Sequence, residues 1–162
     1  MEGYKVFNKG LINRYGLKFE EKGIYTFNEK KDLKYGNNGY GFHFVKNLED
    51  GLRYFDGING EIDIAKVRAL GNVLESFDEY YDYYGLCVTD KIYIDHVLTR
   101  EEIIEYAVNL PSIRLERFVQ GYRLNDDEID LIINRVCDSD VNNAILYYQK
   151  NDKDVYSRKL IK

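Results

Sequence analysis

The chain contains a single proline, Pro111, and the sequence changes rhythm there. Before it, short runs alternate apolar with polar residues, the period of a strand that buries one face. Tyr4-Lys5-Val6-Phe7, Gly23-Ile24-Tyr25-Thr26-Phe27, residues 42–45, 61–69 and 91–98 read this way. The 61–69 run changes phase, and a bulge near Ile64-Ala65 would reconcile its two halves. After Pro111, apolar residues recur at helical spacing: Leu115, Phe118, Val119 and Tyr122, then Ile129, Ile132, Ile133 and Val136, then Val141, Ile145 and Tyr148. The pattern predicts an α+β domain over residues 1–110 and a small helical C-terminal appendage over 111–162.

Local signals mark the element ends. Thr99-Arg100-Glu101-Glu102 and Asn125-Asp126-Asp127-Glu128 are capping boxes that open helices. Residues 39–55 join a glycine-aromatic turn to a short strand and then to a helix. Asn47 is placed to cap that helix, and Leu48, Leu52 and Phe55 to face the core. Gly36-Asn37-Asn38-Gly39 is a turn, and with Gly41 it is a weak candidate for a phosphate cradle, because it lacks the Walker lysine and serine.

Composition narrows the function classes. At 44% hydrophobic and 31% charged residues, the 162-residue chain reads as globular. No apolar run reaches the ~20 residues of a bilayer span, so no membrane partner is expected. The first residues lack the apolar core of a signal peptide, which predicts a cytoplasmic protein. Cys87 and Cys137 lie in no CxxC motif, so reduced thiols and no metal site are expected. Cys87 between Leu86 and Val88 reads as a buried small hydrophobe, and His96 as a satisfied core histidine. Residues 1–46 hold nine Lys or Arg against five Asp or Glu, whereas 47–162 hold 14 against 23. That balance argues against duplex DNA and suits a basic protein or ribonucleoprotein. The segment Asp78, Glu79, Tyr80, Tyr81, Asp82, Tyr83, Tyr84 combines aromatic anchors with steering charge and is the candidate partner-binding surface.

Gly41-Phe42-His43-Phe44 with Leu52 and Tyr54 resembles the glycine-aromatic strand and following helix of poly-ADP-ribose polymerases. Ile64-Ala65-Lys66-Val67-Arg68-Ala69-Leu70-Gly71-Asn72-Val73 resembles their Ala-Leu-Gly-Asn strand. Asp90-Lys91-Ile92-Tyr93-Ile94 sits where that family has a glutamate and an alternating strand. Together these cover roughly residues 3–105. The same pieces are more closely similar to a group of small bacteriophage and prophage proteins. The resemblance implies an ADP-ribosyltransferase-like scaffold, a split or bent antiparallel sheet with flanking helices. It implies NAD as cofactor, with Tyr4, Gly41, His43 and Tyr54 around it. Lys5, His43 and Asp90 then stand at the triad positions, with Asp90 or Lys91 replacing the family glutamate. All three positions depart from the family's His or Arg, Tyr or Ser, and Glu. The leading expectation is therefore a macromolecule-binding protein on a catalytically degraded scaffold, such as a phage-encoded inhibitor of host defence of the anti-CRISPR kind. The alternatives are an active ADP-ribosyltransferase with an unusual triad and a nucleotide-binding sensor.

Overall fold

The structure is a computed structural model, which describes residues 1–29, 31–36, 39–58, 60–76 and 85–150. The proposed partner segment, Asp78, Glu79, Tyr80, Tyr81, Asp82, Tyr83 and Tyr84, lies outside the described residues. The chain divides into two compact units: Met1–Phe55 with Glu61–Leu98, and Asp56–Gly60 with Thr99–Lys162.

The first unit is α+β. Its strands are β1 (Glu2–Asn8), β2 (Ile24–Thr26), β3 (Phe42–Val45), β4 (Ile62–Ala69), β5 (Val73–Glu75), β6 (Leu86–Thr89) and β7 (Lys91–Val97). They form one seven-stranded sheet in the order β2-β7-β4-β1-β3-β6-β5, with every pairing antiparallel. Two features show that this sheet is strongly bent. First, Asp90 alone separates β6 from β7, which stand four places apart in the order. A flat sheet would put them roughly 19 Å apart at ~4.8 Å per strand, and one intervening residue spans at most about 7 Å. Second, β1 pairs with β4 at seven positions but with β3 at one, Tyr4↔Val45.

The bend has a chemical cause. The chain from β4 to β5 runs antiparallel to β6 and β7 as a long ribbon, kinked at Gly71-Asn72 on one side and Asp90 on the other. The Asp90 carboxylate accepts the Asn72 backbone N–H at 2.8 Å and its side-chain amide at 3.1 Å. A Cβ on Gly71 would lie 1.9 Å from Asp90 Oδ1, so any larger residue there would displace the carboxylate from its clamp. One half of the kinked ribbon pairs with β3 and the other with β1.

Alternation explains β2, β4 and β7, whereas β1 buries adjacent Val6 and Phe7, Val6 against α1 and Phe7 against Phe19. The irregularity in β4 falls between Lys66 and Val67, slightly later than Ile64-Ala65. β6 is buried at all four positions, so it carries no alternation to read. The core gathers Phe7, Phe19, Phe42, Phe44, Ala65, Val67, Cys87, Ile92 and Ile94. Phe19 packs against Tyr25 at a ring distance of 4.6 Å and against Phe7 at 5.3 Å. Cys87 is buried as expected, and burial pushes its thiol up to about 11. His96 is only half-buried and bonds Asp95 at 3.2 Å, so it is not a core histidine.

The short helix α1 (Leu48–Leu52) follows β3 directly and packs on β1 and β3. Leu48 and Leu52 are buried beneath it. Gly51 permits the close approach, since a Cβ there would meet Val6 Cγ2 at 2.9 Å and Val45 Cγ2 at 3.1 Å. Asn47 occupies the cap position, but its side chain makes no capping bond and instead donates to Asp50 Oδ2 at 3.0 Å.

The second unit holds α2 (Arg100–Val108), α3 (Ser112–Gly121), α4 (Asp126–Val136) and α5 (Ser139–Ile145), the last continued by a π-helical turn Leu146–Lys150. Thus α2, placed by periodicity with the sheet, groups with the other helices. Both capping boxes form, Thr99 with Glu102 and Asn125 with Glu128. Leu115, Phe118, Val119, Tyr122, Ile129, Ile132, Val141 and Ile145 are buried, which accounts for the helical stripes. Arg100 ties α2 to α4 through a two-toothed pair with Glu128 at 2.5 and 2.8 Å.

Candidate functional site

A cleft of about 370 Å³ opens in the sheet unit where β1 and β3 part. Tyr4-Lys5-Val6 of β1 and all of β3 line it, and Tyr54-Phe55 beyond α1 close one side. The loop after β1 brings Asn13, Arg14 and Tyr15 to the rim. That loop is held by the Asn13 side chain, which accepts the Tyr15 and Leu17 backbone N–H groups at 3.0 and 2.9 Å. Gly16, at φ +83°, completes the turn in a conformation that suits glycine.

Lys5 reaches into the gap between the strands. Its ammonium donates to the His43 carbonyl at 2.6 Å and lies 5.4 Å from the centre of the Phe7 ring. Burial, together with the nearby positive charge of Arg14, lowers its pKa to about 8. His43 also faces the cleft. Burial and the Lys5 charge lower its pKa to about 4, and its hydrogen bond to the Gly41 backbone opposes that shift. Its Nε2 is buried without a hydrogen-bond partner. The exposed Arg14 guanidinium donates to the Tyr54 carbonyl at 3.2 Å, which fixes it near both groups.

The cleft thus collects Lys5, Arg14 and His43 among aromatic walls. No Asp or Glu lines it among the described residues. Tyr4, Lys5, Gly41, His43 and Tyr54, expected at one site, do meet there. Asp90 does not join them. It is spent on the Asn72 clamp, and its carbonyl accepts the Phe27 N–H at 2.8 Å. Lys91 is likewise absent from the lining. Gly36 and Gly39 line the cleft, but they close on each other through a 2.8 Å backbone bond. Sequence reasoning missed Asn13, Arg14 and Tyr15. Their one local signal is the Asn13-Arg14-Tyr15-Gly16 turn directly after the first strand.

Residues 1–104 match the family model described as "Domain of unknown function (DUF7666)". The chain belongs to the DUF7666 family. No curated protein and no solved structure matches it. Every residue lining the cleft falls inside the DUF7666 match, as does the Asp90–Asn72 clamp. The match ends within α2, so α3, α4 and α5 lie beyond it.

No helix among the described residues is long and apolar enough to cross a membrane. Among the same residues, no group of three or more His, Cys, Asp or Glu is placed to hold a metal ion.

Proposed function

We propose that this chain is a binding protein on an ADP-ribosyltransferase-like scaffold whose cleft holds a ligand without cleaving it. The observation that carries this reading is the absence of a carboxylate from the cleft lining among the described residues. Cleavage of a glycosidic bond to nicotinamide develops positive charge at the ribose carbon, and a carboxylate beside that carbon stabilises it. Lys5 and Arg14 carry the opposite sign. Asp90, which the family pattern would put in this role, is engaged by Asn72. The bent sheet, the parting of β1 from β3 and the glycine-aromatic β3 support the scaffold part of the reading.

The macromolecular side of the proposal is a basic protein or ribonucleoprotein, the kind of partner that a phage-encoded inhibitor of host defence would meet. Its support is the excess of acidic residues over 47–162.

The test is incubation of the full chain with NAD labelled on the adenylate, in buffer and in bacterial lysate. The expected result is no label on any protein and no release of nicotinamide above the blank. Transfer of label, or steady nicotinamide release that His43→Gln abolishes, would replace this reading with that of an active transferase.

A further inference from the structure

We propose that the cleft selects a planar anion: an aromatic ring bearing a carboxylate or phosphate held between Lys5 and Arg14, with an N–H or O–H on the ligand donated to His43. This rests on the ligand-holding, non-cleaving reading of the same cleft.

Charge is the first argument. Arg14 lies close enough to depress the protonation of both Lys5 and His43, and Lys5 depresses that of His43. Three basic groups therefore share one concavity, with no acidic side chain in its lining among the described residues. Of the three, Lys5 is the cation that burial perturbs, and a desolvated positive charge is costly unless a counter-charge meets it. A ligand anion supplies one.

The second argument is independent of charge. His43 is neutral at pH 7, and its hydrogen bond to the Gly41 backbone uses the one ring N–H. Nε2 is then an acceptor, buried and without a partner. Such an atom is a rare defect in a folded protein and is satisfied when a ligand donates to it.

Shape is the third. Tyr15, Phe19, Phe27, Phe42, Tyr54 and Phe55 line the cleft and offer ring faces and edges for a flat ligand. The volume, about 370 Å³, is near the small end of the ~300–1,000 Å³ typical of ligand pockets. It suits one ring system with one charged group better than a dinucleotide. The sign of the charge also disfavours oxidised NAD, whose nicotinamide ring is a cation and would face Lys5 and Arg14.

The experiment compares pairs of nearly equal shape and different charge on the full chain by isothermal titration at pH 7: 3-hydroxybenzoate against 3-hydroxybenzamide, and AMP against adenosine. The anion of at least one pair is expected to bind about ten- to a hundredfold tighter than its neutral partner, the scale of a charge-assisted hydrogen bond. Arg14→Gln, on an exposed loop, is expected to erase most of that preference, and Lys5→Met the rest. AMP binding more tightly than the benzoate would assign the anion to a phosphate; the reverse order would assign it to a carboxylate. Equal or tighter binding of the neutral partner in both pairs, or no binding of either anion at millimolar concentration, would overturn the inference. Nicotinamide release from NAD in parallel samples bears on the non-cleaving reading alone, so the two failures are told apart.

Discussion

Lys5 Nζ donates to the carbonyl oxygen of His43 at 2.6 Å, across the gap where β1 and β3 separate. The two strands share one register pair, Tyr4↔Val45, and beyond it a side chain makes the strand-to-strand bond. Lys5 is half-buried with Arg14 near, so the bond that ties the strands together also places a positive charge in a cleft that no Asp or Glu lines among the described residues.

Lys5 should make stability rise with pH on the alkaline side. Its pKa is about 8 in the folded chain and 10.5 when unperturbed. Between those values the unfolded chain holds a proton that the folded chain lacks, so raising the pH favours folding. Below pH 8 both states are protonated and the destabilisation is present in full. Urea melts of the wild type and Lys5→Met should diverge by up to about 3 kcal/mol between pH 8 and 10.5. Parallel curves across that range would refute the burial of a charged Lys5.

His43 should act on the acid side. Its pKa is about 4 folded, against 6.5 unperturbed. As pH falls from 6.5 to 4 the unfolded chain takes up a proton first, so stability is lost over that window. His43→Gln should flatten this slope by at most about 3 kcal/mol. Proton NMR of the two imidazoles offers a direct check, with the His43 resonance titrating near pH 4. A midpoint above 6 would mean that the ring is solvated.

Asp90 should matter for folding and not for the cleft. Asp90→Ala removes both bonds to Asn72 at the ribbon kink. The expected cost is about 1–3 kcal/mol, read as a lower denaturation midpoint with the ligand preference of the cleft retained. An unchanged midpoint together with lost ligand binding would return Asp90 to the site.

Gln149 should be the most sensitive polar residue of the helical unit. Its buried side chain accepts the Leu124 N–H at 3.0 Å and donates to the Val119 and Tyr122 carbonyls at 2.5 and 2.8 Å. It thereby closes the C-terminal end of α3. Gln149→Leu strands all three backbone groups and should cost about 3 kcal/mol or more. Hydrogen exchange should accelerate at Leu124 and through the last turn of α3. Gln149→Glu keeps the acceptor and loses both donors, so it should be comparably damaging at neutral pH.

Features set by near neighbours were legible in the sequence. Thr99 and Glu102, like Asn125 and Glu128, are three residues apart and form their capping boxes as written. The stripes through Leu115, Phe118 and Ile129 are buried because a helix brings every third or fourth residue to one face. β7 alternates through buried Ile92 and Ile94 because it buries one face, and Cys87 is apolar among apolar neighbours. Other features depend on residues far apart in the chain. β6 is buried on both faces by strands and core residues distant in sequence, which removes the period that would reveal it. Asp90 looked like a site carboxylate until the kink set it against Asn72, eighteen positions away. Arg14 sits in an unremarkable polar turn, and only the parting of β1 from β3 puts it beside Lys5 and His43. The sequence determined which residues carry charge and where the amphipathic strands and the helices fall, because periodicity and capping act within a few residues. The tertiary structure decided which charges share a cleft and lose their water, because Coulomb interaction and desolvation depend on distance and burial in space.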